Sequence, residues 1–128
     1  MESSSEYLNV VVGRGGIATQ LISQLIENGE NVLVLARGPV DGLDTPYVHL
    51  DLENQESIAD AFEVINEPVK RVLVCTGLLH GNGEWGPERQ WSELDAEILI
   101  KYYQINTIGP ALVAKYALPK LPKDKLGI

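Results

Sequence analysis

"VVGRGGIATQLISQL", Val11 to Leu25, sets glycines 13, 15 and 16 between a β-branched run and an apolar stripe. Glycine reaches positive φ without strain and has no side chain to hold a ligand off the main chain. Upstream, "YLNVVVG" (Tyr7 to Gly13) reads as a short strand, and downstream Ile17, Leu21, Ile22, Leu25 and Ile26 recur at the spacing of one helix face. The stretch is therefore strand, glycine turn, helix. Gly13-Arg14-Gly15-Gly16-Ile17-Ala18 spells Gly-x-Gly-x-x-Ala. In that grammar the first glycine makes the tight turn, the second lets the backbone approach a pyrophosphate, and the small last residue lets helix and strand pack closely. The helix amino terminus then holds the anion through free N–H groups and its dipole. Glycine turns between strand and helix also arise for structural reasons alone, so the motif takes its meaning from the elements on either side of it.

Those elements alternate regularly along the chain. Asn28 and Gly29 stop the helix, and "NVLVLA" (Asn31 to Ala36) is continuously apolar, as a strand buried on both faces of a parallel sheet must be. "GPVDGLDTP" is a loop, "YVHLDL" (47–52) a third strand, and "NQESIADAFEVIN" (54–66) a helix with Ile58, Phe62 and Ile65 on one side. "VKRVLVCTG" (69–77) is a fourth strand, and "LLHGNGEWGPE" (78–88) a glycine-rich loop. From about Trp91 to Leu118 the pattern is helical, with Ile98, Tyr102, Ile105, Leu112 and Tyr116 among its apolar positions. Such alternation predicts an α/β fold: a Rossmann-type parallel sheet in the order 3-2-1-4 with helices on both faces. The ligand crevice of such a sheet lies beyond the carboxyl ends of strands one and four, where the order reverses.

Composition narrows the partners. The chain has 128 residues, 45 % hydrophobic and 22 % charged, enough for a single core and one dinucleotide-binding domain spanning 1–128. A net charge of −8 repels nucleic acid and anionic membranes, which leaves neither as an expected partner. Cys75 is the lone cysteine, so no disulfide can form within the chain, and a reducing, cytoplasmic compartment is the simpler reading. No apolar stretch approaches the roughly 18 residues of a spanning helix, and "MESSSEYLN" lacks the basic start of a secretion signal. His80 has no partner at metal-ligand spacing, and no metal is expected.

The end of the second strand refines the ligand. An NAD site carries an acidic residue about 20 residues past the first glycine, whereas an arginine there accommodates the 2′-phosphate of NADP. Here "LVLARGP" puts Ala36 and Arg37 in that place. A guanidinium forms a forked pair with a phosphate, so NADP is favoured over NAD, although an arginine in a surface turn is also commonly just solvated.

The order of motifs resembles the short-chain dehydrogenase/reductase family, its amino-terminal half in particular. The runs "GLLHGNGEWGPE" and "INTIGPALVAKYALPKL" are most similar to its C-factor-like branch. By that resemblance Gly13, Arg14, Gly15 and Ile17 surround the pyrophosphate, Asp51 and Leu52 meet the adenine, and Thr76 and Gly77 lie near the ribose. Asn106 matches the catalytic asparagine that holds a proton-relay water. Three departures stand out: the glycine loop is one residue shorter and ends in Ala18, Val74 and Cys75 replace the asparagines before Gly77, and the chain reaches Ile128 as a fifth strand, "KLGI", would begin. The family's serine and Tyr-x-x-x-Lys pair would lie beyond it.

Tyr116-Ala117-Leu118-Pro119-Lys120 spells Tyr-x-x-x-Lys, a spacing that sets a phenol and an ammonium one turn apart. It comes too soon after Asn106, and Pro119 breaks the turn the pair would need. His80 reads as a loop residue and Cys75 as strand packing. The resemblance implies the cofactor-binding half of an NADP-dependent short-chain oxidoreductase, moving hydride between nicotinamide and a small carbonyl or alcohol, with a homodimer as its assembly. The alternative is a non-catalytic nucleotide-binding or protein-interaction module.

Overall fold

The computed structural model of the protein describes residues 7–78 and 87–123. Four strands, β1 (Leu8–Val12), β2 (Asn31–Ala36), β3 (Tyr47–His49) and β4 (Val69–Val74), form one parallel sheet in the order β3-β2-β1-β4. This is the expected order. α1 (Gly16–Glu27) joins β1 to β2, and α2 (Gln55–Glu63) joins β3 to β4. Because successive side chains of a strand face opposite sides, an apolar run feeds two cores at once. Leu8, Val10 and Val12 pack with Leu35, Ile58, Phe62, Val69 and Val113 on one face. Val11 joins Ala18, Ile22, Leu25, Val32 and Val34 on the other, beneath α1.

The helices differ from their sequence patterns in ways that packing explains. α1 buries Ala18, Ile22 and Leu25, one narrow stripe, while Ile17 at its first turn is 78 % exposed. Ile17 and Ile26 therefore do not join the core as the apolar spacing suggested. Gly29, at φ +76°, turns the chain into β2 as expected. The strand of "YVHLDL" ends at His49, shorter than expected: the Leu50 N–H still donates to the Ala36 carbonyl (3.0 Å), Leu50 and Leu52 are buried, and Asp51 begins the turn to α2. There Asn54 caps α2, its Oδ1 accepting from the Ser57 N–H at 3.1 Å, an interaction of about 1 kcal/mol.

The long helical region is interrupted. A 3₁₀ turn (Trp91–Glu93) precedes α3 (Ala96–Tyr103), which Asp95 caps. A π-helical turn (Gln104–Ile108), α4 (Gly109–Ala117) and a 3₁₀ turn (Leu118–Lys120) follow. α4 packs beside α2 on one face of the sheet, whereas α3 buries none of its residues.

One polar residue sits in the core. Asn9, fully buried in β1, donates from Nδ2 to the Asn31 carbonyl (2.9 Å) and to Glu30 Oε1 (3.4 Å), and Lys70 Nζ pairs with the same carboxylate oxygen at 2.9 Å. Leu8 pairs with Val69 but Asn9 with Arg71, so the ladder steps over Lys70. This bulge returns Val69 to the core face beside Leu8 and frees Lys70 to reach Glu30.

Candidate functional site

The order reversal puts the carboxyl ends of β1 and β4 side by side, where an open α/β sheet offers its ligand crevice. Gly13 makes that closeness possible. It sits at φ +126°, and a β-carbon on it would stand 2.7 Å from the Cys75 carbonyl oxygen and 3.2 Å from the Thr76 methyl. The Cys75 N–H donates to the Val12 carbonyl (2.8 Å) and the Gly13 N–H to the Leu35 carbonyl (2.9 Å), so the turn is tied to both neighbouring strands. Gly15 and Gly16, by contrast, face open space. Gly15 is the N-cap of α1 and supplies no side-chain acceptor, and the first turn holds no acidic residue. The helix thus presents uncapped N–H groups and the positive end of its dipole to the crevice.

Two arginines stand at the tip of β2. Arg37 is exposed. Arg14 reaches across from the glycine turn, its Nη1 donating to the Pro39 carbonyl at 3.3 Å and lying 3.1 Å from where a β-carbon on Gly38 would stand. Nothing local in the sequence announces this convergence, since Arg14 and Pro39 are 25 residues apart.

Asp51 lies at the end of β3, with its Oδ1 accepting from the Glu53 N–H (2.9 Å). Its N–H donates to Ser57 Oγ (2.9 Å), and that hydroxyl donates back to the Asp51 carbonyl (3.0 Å). Leu52 turns its side chain inward against Gly109, whose missing β-carbon would stand 2.9 Å from Leu52 Cβ. The Leu52 carbonyl accepts from Gln104 Nε2 at 3.3 Å, so the loop is fastened to the π-helical turn.

Asn106, in that π-helical turn, is a two-point clamp on the chain beyond β4. The Leu78 N–H donates to its Oδ1 (2.7 Å), and its Nδ2 donates to the Leu78 carbonyl (2.8 Å). Gly77, exposed, lies next to it, its absent β-carbon 3.8 Å from Asn106 Oδ1. The irregular helix thus aims a polar side chain at the crevice wall, where its hydrogen bonds hold main chain. Thr76 stands between Gly77 and the glycine turn, with its Oγ1 buried and unpartnered.

The Tyr116–Lys120 pair is structural. Tyr116 Oη accepts from Gln55 Nε2 at 3.0 Å, Lys120 Nζ donates to the Ile65 carbonyl at 2.8 Å, and α4 ends between them at Ala117. Burial pushes the Cys75 thiol up, in keeping with strand packing rather than nucleophilic use. Partial burial and then the neighbouring Glu88 carboxylate raise the Tyr102 phenol, the opposite of what acid/base work at neutral pH needs. His80 lies outside the described residues. Among the described residues no group of three His, Cys, Asp or Glu could hold a metal ion, and no helix is long and apolar enough to cross a membrane.

No protein-family model and no curated protein matches the sequence. Solved structures do match the fold. The ligand-free aldohexose dehydrogenase of Thermoplasma acidophilum superposes with a TM-score of 0.75 at 14 % identity, over 90 % of this chain and 44 % of that one. A short-chain dehydrogenase of Leptospira borgpetersenii with bound NAD+ gives 0.76 at 16 %, over 90 % and 46 %. The UDP-glucose 4-epimerase of Thermus thermophilus, in complex with NAD, gives 0.65 at 18 %, over 88 % and 34 %. The chain spans less than half the length of each. At these identities the likeness establishes a Rossmann-type parallel α/β fold.

Proposed function

We propose that the chain is the cofactor-binding part of an NADP-dependent short-chain oxidoreductase. The observation that carries this reading is the pairing of an uncapped helix amino terminus at Gly15 with two arginines, Arg14 and Arg37, at the tip of β2. The first suits a pyrophosphate, and the second suits a 2′-phosphate where an NAD site would carry a carboxylate. That two structures of the same fold bind NAD supports a nicotinamide dinucleotide as the ligand class. In this reading Gly13, Gly15 and Ile17 border the pyrophosphate, Asp51 and the Leu52 main chain border the adenine, and Thr76 and Gly77 border the ribose. Asn106 contributes by holding Leu78 and so shaping the wall beside the nicotinamide. When bound, the dinucleotide supplies hydride to a small carbonyl or takes it from an alcohol.

The C-factor-like affiliation rests on the runs around His80 and Asn106. We take the compartment to be cytoplasmic, where the lone Cys75 stays a thiol. A second copy of the chain covers the outer face of α3. The non-catalytic alternative draws on one observation, that Tyr116 and Lys120 are committed to packing bonds. Calorimetric titration with NADPH and NADH tests the reading. NADPH should bind about ten- to a hundred-fold more tightly, as expected for one charge-assisted bond, and Arg37→Asp should remove or reverse that preference. Equal affinities, with no response to the substitution, would overturn the NADP assignment.

A further inference from the structure

Among the described residues two buried side-chain polar atoms have no partner, Asn9 Oδ1 and Thr76 Oγ1. They differ in kind. Asn9 still bonds through its other amide atom at the amino end of the sheet, whereas Thr76 makes no side-chain hydrogen bond at all. Thr76 is also placed beyond the carboxyl end of β4, its methyl 3.2 Å from where a β-carbon on Gly13 would stand, in the turn that leads into the uncapped start of α1. A buried hydroxyl without a partner is destabilising, and valine would fill the same volume without that loss. The hydroxyl therefore calls for a use outside the free fold.

We propose that Thr76 is a hydrogen-bonding residue completed by the ligand. When a dinucleotide enters, rotation about the Thr76 χ1 torsion to another staggered well turns the hydroxyl into the crevice, where it donates to an oxygen of the pyrophosphate or of the ribose beside it. This rests on the dinucleotide-binding reading of the crevice. The location follows from the sheet order: Arg14, Arg37 and Asp51 gather at the tips of β2 and β3, while Thr76 lies on the far side of β1. The hydroxyl consequently serves the half of the ligand remote from the adenosine.

Calorimetric titration of the chain and of its Thr76→Val and Thr76→Ser variants with NADPH, ADP-ribose and 2′-AMP, together with denaturant unfolding of each free protein, tests this. Thr76→Val should be at least as stable as the parent when free, and should bind NADPH and ADP-ribose about ten-fold more weakly. Thr76→Ser should keep the parent affinity, and 2′-AMP should bind all three proteins alike. Parent-like affinity of Thr76→Val for NADPH would overturn the proposal. So would a loss of stability in free Thr76→Val, which would mean that the hydroxyl already has a water partner. An equal loss of 2′-AMP binding would mean that the substitution acts through the fold. A parent chain that binds none of the three ligands refutes the dinucleotide reading itself, whereas tight parent binding unaffected by valine refutes this inference alone.

Discussion

Gly13 meets two demands at one position: a φ of +126° that L side chains rarely adopt, and an α-carbon pressed against the Cys75 carbonyl. Alanine could satisfy neither. Relaxing φ would pull the β1 turn away from β4, and keeping φ would drive a methyl to 2.7 Å from a main-chain oxygen that has no freedom to move. Gly13→Ala should therefore lower unfolding stability by more than about 2 kcal/mol, measured by denaturant titration, and abolish NADPH binding even where the protein still folds. Gly15→Ala is the control, since a β-carbon there meets nothing within 4 Å and should leave the fold intact. Equal stability losses at the two glycines would show that the close approach of β1 to β4 is not what constrains Gly13.

At the level of elements, β1 and β4 are joined by the bulge at Lys70 and sealed by the Asn9–Glu30–Lys70 group. The Lys70 hydrogen bond, helped by its charge and by Asn9, holds the Glu30 carboxyl below the ordinary 4.5 despite the opposing effect of burial. A carboxylate whose folded pKa is depressed contributes stability that is fully present above the unfolded value and lost as pH falls through the folded one. Unfolding free energy should thus decline below pH 4.5 in the parent. Glu30→Gln should be less stable at pH 7 and lose less on acidification, with the two curves converging at low pH. Parallel curves would mean that the ion pair does not couple β4 to the α1–β2 turn. The helical elements add a second tie, because Gln104 and Lys101 reach Leu52 and Glu53 in the loop between β3 and α2, and Gln55, the first residue of α2, donates to Tyr116 of α4. The β3 end of the sheet is therefore braced by the helical elements rather than left as a free loop.

For the whole molecule the unbalanced feature is α3. Its inward positions Ile98 and Tyr102 are only half-buried, while Ile100 and Tyr103 are 66 % and 63 % exposed. With Leu99 at 42 %, these side chains give α3 an exposed apolar surface of the kind that marks an interaction site. Two copies joined through this face should sediment as a dimer at micromolar concentration, and Ile100→Glu with Tyr103→Glu should return the 14.0 kDa monomer. Because each copy carries a net charge of −8, the dimer fraction should rise with ionic strength as the repulsion is screened. A parent chain that is monomeric at all salt concentrations would remove the dimer from the proposed function.

The order of elements, the parallel sheet and the glycine turn at its centre are legible in the residues alone. Each of these is written locally: apolar runs of strand length, one helix face at a time, and a residue type that alone tolerates the φ of Gly13. The step of β4 over Lys70 emerges only on packing, because periodicity registers which residues are apolar but not a slip of one residue between two strands. Packing likewise brought Arg14 to Pro39 and Asn106 to Leu78, and fixed Tyr116 to Gln55 across 61 residues. Those hydrogen bonds join groups far apart in the chain. Their geometry exists only after the sheet and helices have packed, so no pattern of neighbouring residues can encode it.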